Sequence, residues 1–198
     1  ILDISYSIPS FKTTQQQQSG ATNLWIRGFA NGANNIGLVP SVAYYVDGVA
    51  RMRAFSVLSD LPDLERVEIL RGPQSTLFGK NASAGVVGIT TVSPSSEQAG
   101  SLEMTLGNMG ASVFKGMITG PLNETTSYRL AASANQRDGF VENLVSGSML
   151  NEKNRWALRG QILTQPSEDL SIRVIVDKDE LDELCCGTSY FTKGQLTR

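Results

Sequence analysis

Apolar and polar positions alternate with a period of two along much of this chain, and short stretches rich in glycine, asparagine and proline break that rhythm. Glu65, Val67, Ile69 and Arg71 alternate with Arg66, Glu68 and Leu70, which predicts a sheet strand. Gly72-Pro73 stops it, because proline lacks an N–H and fixes its own φ. The spacing then predicts a short helix from Thr76 to Gly79, capped by Ser75 and ended by the positive-φ chemistry of Gly79 with Asn81. Residues 85–91, GVVGITT, are small and β-branched and read as a strand packed closely on a neighbouring backbone. Upstream, residues 21–27 alternate and run into a Gly/Asn-rich loop over residues 28–37. Ser41 to Asp47 reads as a strand, residues 48–55 as a second loop, and Phe55 to Leu61 as a short helix ended by Pro62. The polar run Gln15 to Gln18 reads as a surface turn or edge strand. Together these elements predict a small mixed sheet with short helices over residues 1–94.

Composition shifts at Pro94 to Gly100, where Ser, Glu and Gln replace the apolar run, and a second unit is expected over residues 99–198. Leu102, Met104 and Leu106 alternate with Glu103 and Thr105, and the same rhythm returns around Phe114 to Thr119 and Tyr128 to Asn135. It returns again around Arg155 to Ile162 and Leu170 to Asp177. Five strands follow, each with one apolar and one polar or charged face. Alternation alone does not name the solvent on either side, since a soluble sandwich shows it too. Connection lengths add information. Gly120 to Thr125 and Gln165 to Asp169 read as short turns, while Asp138 to Asn154 and the stretch from Glu180 onward are long. Short and long connections in alternation are the habit of transmembrane barrels. In that setting Leu130, Ala132, Leu158, Ile162, Ile172 and Val174 are expected to face lipid, with Arg129, Arg159, Gln161 and Arg173 facing the lumen. Five strands cannot close a barrel, so further strands are expected elsewhere.

The 198 residues are 40% hydrophobic with a net charge of −2 and no histidine. That balance argues against a nucleic-acid footprint, and no apolar run approaches the roughly 18 residues of a transmembrane helix. Without histidine, no Ser/His/Asp, Cys/His or metal-ligand constellation exists, so neither an enzyme nor a cofactor is expected. The run GPQSTLFGKN resembles a phosphate-binding loop only superficially. Six residues separate Gly72 from Gly79 where four are needed, and Asn81 stands where a hydroxyl should follow Lys80. The chain starts at Ile1 without methionine and stops at Arg198 after a Gly-containing loop, and it is expected to be part of a longer protein.

Three motifs occur in order: Ile26-Arg27-Gly28-Phe29, Val46-Asp47-Gly48-Val49, and the run from Val67 through Leu70-Arg71-Gly72-Pro73 to Gly85. On these residues the chain resembles the plug domain of TonB-dependent outer-membrane receptors. The resemblance implies an α+β plug, a small mixed sheet with short helices, followed by antiparallel strands of a transmembrane β-barrel of roughly 22 strands. It implies a receptor that imports a scarce extracellular ligand, often an iron chelate of the siderophore type, with TonB, ExbB and ExbD as energy partners and outer-membrane lipid around it. The TonB box would lie before Ile1. By the same resemblance Arg27 and Arg71 are expected to latch the plug to the barrel wall through glutamates of later strands. Ligand-facing plug loops would carry Phe29, Asn31, Asn34, Asn35, Arg51, Arg53 and Phe55. The alternative reading is a soluble β-rich binding or adhesion domain.

Cys185 and Cys186 are adjacent in the last long stretch. Neighbouring Cα atoms lie about 3.8 Å apart against the roughly 4.4 to 6.8 Å of an ordinary disulfide. A strained vicinal bridge, a bridge to a cysteine elsewhere, free thiols and a metal site all stay open.

Overall fold

A computed structural model describes residues 5–15, 22–30, 40–51 and 63–184. The strands in chain order are β1 (Phe11–Gln15), β2 (Thr22–Ile26), β3 (Phe29–Ala30), β4 (Val42–Val46), β5 (Val49–Ala50) and β6 (Leu64–Arg71). Helix α1 (Ser75–Phe78) and β7 (Gly85–Thr91) complete the N-terminal unit. Then come β8 (Ala99–Leu106), β9 (Ser112–Asn123), β10 (Thr126–Arg137), β11 (Val141–Glu142), β12 (Met149–Leu150), β13 (Lys153–Ser167) and β14 (Leu170–Leu181).

The N-terminal unit holds a four-stranded sheet in the order β5-β4-β7-β6, with β4 and β7 parallel and the outer pairs antiparallel. The two central strands are buried on both faces, which is why VAYYV and GVVGITT read as nearly continuous apolar or small runs. On one face Val42, Tyr44, Val46, Val87 and Ile89 meet Phe11, Leu24 and Ile26 of the β1-β2-β3 sheet. On the other, Ala43 and Val86 pack with Ala82, Tyr45 and Phe78. Edge strand β6 keeps the alternation of its sequence because only one of its faces is covered, with Val67 and Ile69 half-buried against the core. Gly85 sits where nothing larger fits: a Cβ there would lie 2.4 Å from the Leu70 carbonyl oxygen and 2.6 Å from Ile26 Cδ1.

Several boundaries differ from those read in the sequence, each for a local reason. Asp47 adopts φ 48°, so β4 stops at Val46. The expected loop after Gly48 begins as a hairpin, Val49 and Ala50 pairing back onto Val46 and Tyr45. Likewise Phe29 and Ala30 pair with Ile26 and Trp25 before the Gly/Asn-rich stretch. Ser75 is the first helical residue rather than the cap. Gln74 holds the cap position, its carbonyl accepting from the Leu77 and Phe78 amides and its side chain making no capping bond. Gly79, at φ 78°, has left helical space and supplies the positive φ without Asn81. The expected helix Phe55 to Leu61 and the run Gln16 to Gln18 lie outside the described residues.

The second unit is one antiparallel sheet in the order β14-β13-β10-β9-β8. Both short turns are tighter than expected, because the strands run on to leave only residues 124–125 and 168–169 between them. The Asn123 side-chain oxygen accepts from the Thr125 amide at 3.0 Å and closes the first turn locally. The opposite end carries residues 107–111, residues 138–152 with the small β11-β12 hairpin, and the stretch after Leu181. Strands of 12 and 15 residues exceed the roughly 9–11 that span a bilayer when tilted. Leu130, Leu158, Ile162, Ile172 and Val174 are exposed on one face with Ala132 half-buried among them, while Arg129, Ala131, Arg155, Ala157, Arg159 and Gln161 are buried on the other. No described second sheet covers the apolar face, as a sandwich would require. The N-terminal unit covers the polar one.

Candidate functional site

The seam between the two units is built from charge. Asp47, at the strand-ending turn after β4, reaches across to Arg159 on β13, and the side chains are 5% and 2% exposed. The same carboxylate accepts the Thr91 amide and the Thr91 hydroxyl, each at 2.9 Å. Thr91 in turn accepts from Arg173 of β14 at 3.1 Å, and Arg173 also holds the Gln161 side-chain oxygen at 2.5 Å. Gln161 donates to the Val92 carbonyl at 3.1 Å, so the point where the chain leaves the first unit is fixed to the strand it faces. Asp63, just before β6, takes Arg129 of β10 in a two-pronged ion pair with a second contact of 2.7 Å. A fork of this kind gives direction as well as attraction.

Near the end that carries the long connections, Arg155 makes a bidentate pair with Glu183 at 2.5 and 2.7 Å, drawing the chain after β14 over the inner face of β13. Arg51, at the end of the β5 hairpin, reaches Asp177 of β14 at 3.4 Å. With Tyr45, Phe78 and Lys80 it lines a cleft of about 190 Å³, in which Tyr45 donates to the Phe78 carbonyl at 2.7 Å. Burial pushes the Tyr44 phenol well above its ordinary value of 10.0, with the Arg51 charge pulling the other way.

The site residues expected from the sequence are distributed differently. Arg27 and Arg71 lie together at the opposite end of the four-stranded sheet from Asp47: a Cβ on Gly72 would stand 3.7 Å from Arg27 Nη1, and Arg71 pairs in register with Gly85 while Thr91 ends the same strand. Six residues of strand separate the ends, about 20 Å. Both arginines are exposed, and Arg71 donates to the Pro9 carbonyl at 3.3 Å. Phe29 is 65% exposed, and Arg51 lies in the cleft. Asn31, Asn34, Asn35, Arg53, Phe55, Cys185 and Cys186 lie outside the described residues.

Sequence reasoning placed Arg129, Arg159 and Arg173 on the correct face and missed their partners. The signal was present in part: Asp47 and Asp63 each end or precede a strand at positive φ, where short acidic side chains are tolerated, and the inward face of the later strands carries four arginines, Arg129, Arg155, Arg159 and Arg173, in need of carboxylates. Among the described residues no group of three or more acidic, cysteine or histidine side chains could hold a metal.

Comparison with known proteins agrees with this architecture. Residues 1–86 match the TonB-dependent Receptor Plug Domain family. The chain is 34% identical over 110 residues to the pesticin receptor of Yersinia pestis, covering 55% of this chain and 16% of that protein. It is 30% identical over 132 residues to the ferrioxamine B receptor of Salmonella typhimurium, covering 61% and 18%. The crystal structure of the ferric yersiniabactin uptake receptor from Yersinia pestis superposes with a TM-score of 0.81 at 22% identity, over 90% of this chain and 28% of that one. The chain thus spans less than a fifth of the length of these curated relatives. With a matching plug family over residues 1–86 and an antiparallel sheet whose apolar face points away from that unit, the N-terminal unit is a TonB-dependent receptor plug domain, and the chain has the fold of such a plug followed by antiparallel strands of a transmembrane barrel.

Proposed function

We propose that the protein is a gated importer of a scarce extracellular ligand, an iron chelate of the siderophore type, and that it works without catalysis. The observation that carries this reading is the buried Asp47–Arg159 pair with its Thr91 and Arg173 neighbours, which docks a folded domain against the polar face of a membrane sheet. A lumen filled in this way does not conduct until the stability of the domain is lowered locally. TonB, with ExbB and ExbD, supplies that work in this reading. The names of two relatives, a ferrioxamine B receptor and a ferric yersiniabactin uptake receptor, favour a ferric chelate.

In this proposal residues 1–94 are the plug and residues 99–198 begin the barrel. Further strands pair the open edges of β8 and β14, since unpaired backbone groups in lipid cost several kcal/mol each, on the order of a lost hydrogen bond without water. The seven positions Phe29, Asn31, Asn34, Asn35, Arg51, Arg53 and Phe55 line the ligand side, and Arg27 and Arg71 latch the plug to later strands. Cys185 and Cys186 sit on the extracellular side.

Uptake of radioiron from a panel of ferric hydroxamate, catecholate and thiazoline chelates tests the reading, in cells expressing the full-length receptor with and without TonB. TonB-dependent accumulation of one chelate is expected. Equal accumulation in both strains for every chelate overturns it.

A further inference from the structure

Asp177 is shared between two arginines that belong to opposite sides of the seam. Its Oδ2 accepts from Arg51 of the plug at 3.4 Å, and its Oδ1 stands 3.6 Å from Arg159 Nη1, just beyond hydrogen-bond distance. Arg159 Nη1 and Nε are buried and make no hydrogen bond, although Nη2 holds Asp47. A guanidinium with open donors in a dry seam attracts any carboxylate that comes free beside it. The Arg51–Asp177 contact is about a third exposed on both sides, and pairs of that kind are worth about 0 to 1 kcal/mol, so a competing anion displaces it easily.

We infer that Asp177 is a charge relay between the cleft and the seam: an anionic ligand group that takes Arg51 releases Asp177 to Arg159 Nη1, and Arg159 then loosens its hold on Asp47. The cleft is suited to the first step, because Arg51 and Lys80 both line it beside the Tyr45 and Phe78 rings. The last step has a built-in reporter, since the Thr91 amide donates to Asp47 Oδ1 and opens when Asp47 moves. The relay rests on the importer reading and gives it a direction: occupancy at the cleft lowers plug stability at the opposite end of β4 and β5.

Hydrogen exchange at the Thr91 amide, measured in the full-length receptor, tests the relay without any transport. Arg51→Ala frees Asp177 in the same way as a ligand does and is expected to speed Thr91 exchange by about tenfold, within the usual range of coupling between sites. Asp177→Asn keeps the slow exchange, because no competing carboxylate is left, and Arg51→Ala/Asp177→Asn returns to it. If Arg51 and Asp177 merely brace the two units, Asp177→Asn alone speeds exchange as much as Arg51→Ala and the double variant recovers nothing, which overturns the relay. Inorganic phosphate titrated at constant ionic strength supplies the anion: it is expected to speed Thr91 exchange in the wild type and to leave Asp177→Asn unchanged. Phosphate without effect on the wild type, or with the same effect on both, also overturns it. A relay that passes these tests in a receptor that accumulates no ferric chelate sinks the importer reading alone.

Discussion

Asp47 and Arg159 stand 112 residues apart in the chain and form an ion pair buried on both sides, one partner from the plug and the other from β13, the fourth strand of the barrel sheet. The aspartate can reach because its backbone turns at φ 48° immediately after β4, and the arginine faces it because the period-2 register of β13 puts every odd position inward. Removing one member leaves the other charged and buried, with only the more distant Asp177 (3.6 Å from Arg159) or Arg173 (3.8 Å from Asp47) beside it, at a cost of about 3 to 5 kcal/mol. Asp47→Ala and Arg159→Ala are each expected to lower plug stability by that order in the full-length receptor. The double variant should cost clearly less than the sum, read as a double-mutant cycle in denaturant unfolding of the plug. Additive losses would show that the pair does not act as a unit.

Gly85 offers a test of the plug sheet itself. An alanine there drives its methyl into the Leu70 carbonyl of the adjacent strand and into Ile26 of the second sheet, and backbone cannot retreat as a side-chain end does. Overpacking of this kind costs about 1 to 3 kcal/mol or more. Gly85→Ala is expected to separate β6 from β7 while the barrel still assembles, seen as protease cleavage within residues 64–91 of a receptor that keeps its heat-modifiable barrel mobility. Unchanged protection would mean that β6 shifts to make room.

Much of this was legible in the sequence because register propagates. Once Leu130 or Leu158 is assigned to one face of its strand, Arg129 and Arg159 follow to the other, and their burial in the structure needs no further information. The strand pair 64–71 and 85–91 was legible for the same reason, with a glycine at the one point where backbones crowd. What the sequence did not disclose are the partners across the seam. Asp47 reads as the last residue of a strand and Asp63 stands out in no pattern, and nothing local says that either carboxylate meets a strand 112 or 66 residues further on. The tightness of the turns at residues 124–125 and 168–169 was also hidden, because Gly120, Pro121 and Pro166 read as strand breakers although they lie within β9 and β13.

Tyr44 carries a buried hydroxyl that makes no hydrogen bond, and its phenol is raised above the ordinary value of 10.0 by burial. The unfolded chain ionises first as pH climbs, so the group leaves stability untouched below about 10 and lowers it progressively above that value. Tyr44→Phe removes the unpaired hydroxyl and the alkaline loss together, and is expected to be neutral or slightly stabilising at pH 7. Denaturant midpoints at pH 7 and pH 11 check this. A variant that is destabilised at pH 7 would point to a hydrogen bond on that hydroxyl in the full receptor.

The outward face predicts its own response to charge. Ile162 and Leu158 lie near the middle of β13, half-exposed on the apolar side, so an arginine at either position sits close to the bilayer midplane. Such a substitution costs about 2 to 4 kcal/mol in a membrane barrel. The full-length receptor carrying Ile162→Arg is expected to show a lower urea midpoint for insertion into lipid vesicles, whereas Gln165→Arg, beside the turn, shows little change. Equal tolerance at both positions would place β13 outside the hydrocarbon.

Arg27 and Arg71 belong to the other end of the plug. They sit about 20 Å along the sheet from the Asp47 cluster by strand rise, exposed, with Arg71 resting on the Pro9 carbonyl and Arg27 beside Gly72. Two guanidinium groups side by side repel unless a carboxylate stands between them, and the resemblance of this chain to the receptors supplies the expectation of barrel glutamates there. A plug held at both ends, by its own aspartates at one and by its own arginines at the other, resists tilting in the lumen as a single contact would not. Arg27→Ala or Arg71→Ala is therefore expected to leave the barrel assembled and the Thr91 amide slow, while hydrogen exchange quickens in β1 and β2 and small solutes leak through reconstituted receptor. Charge-swapped Arg71→Glu should leak more than Arg71→Ala, because it meets like charge on the wall. If Arg71→Glu is as tight as the wild type, no barrel carboxylate faces this end and the latch is absent.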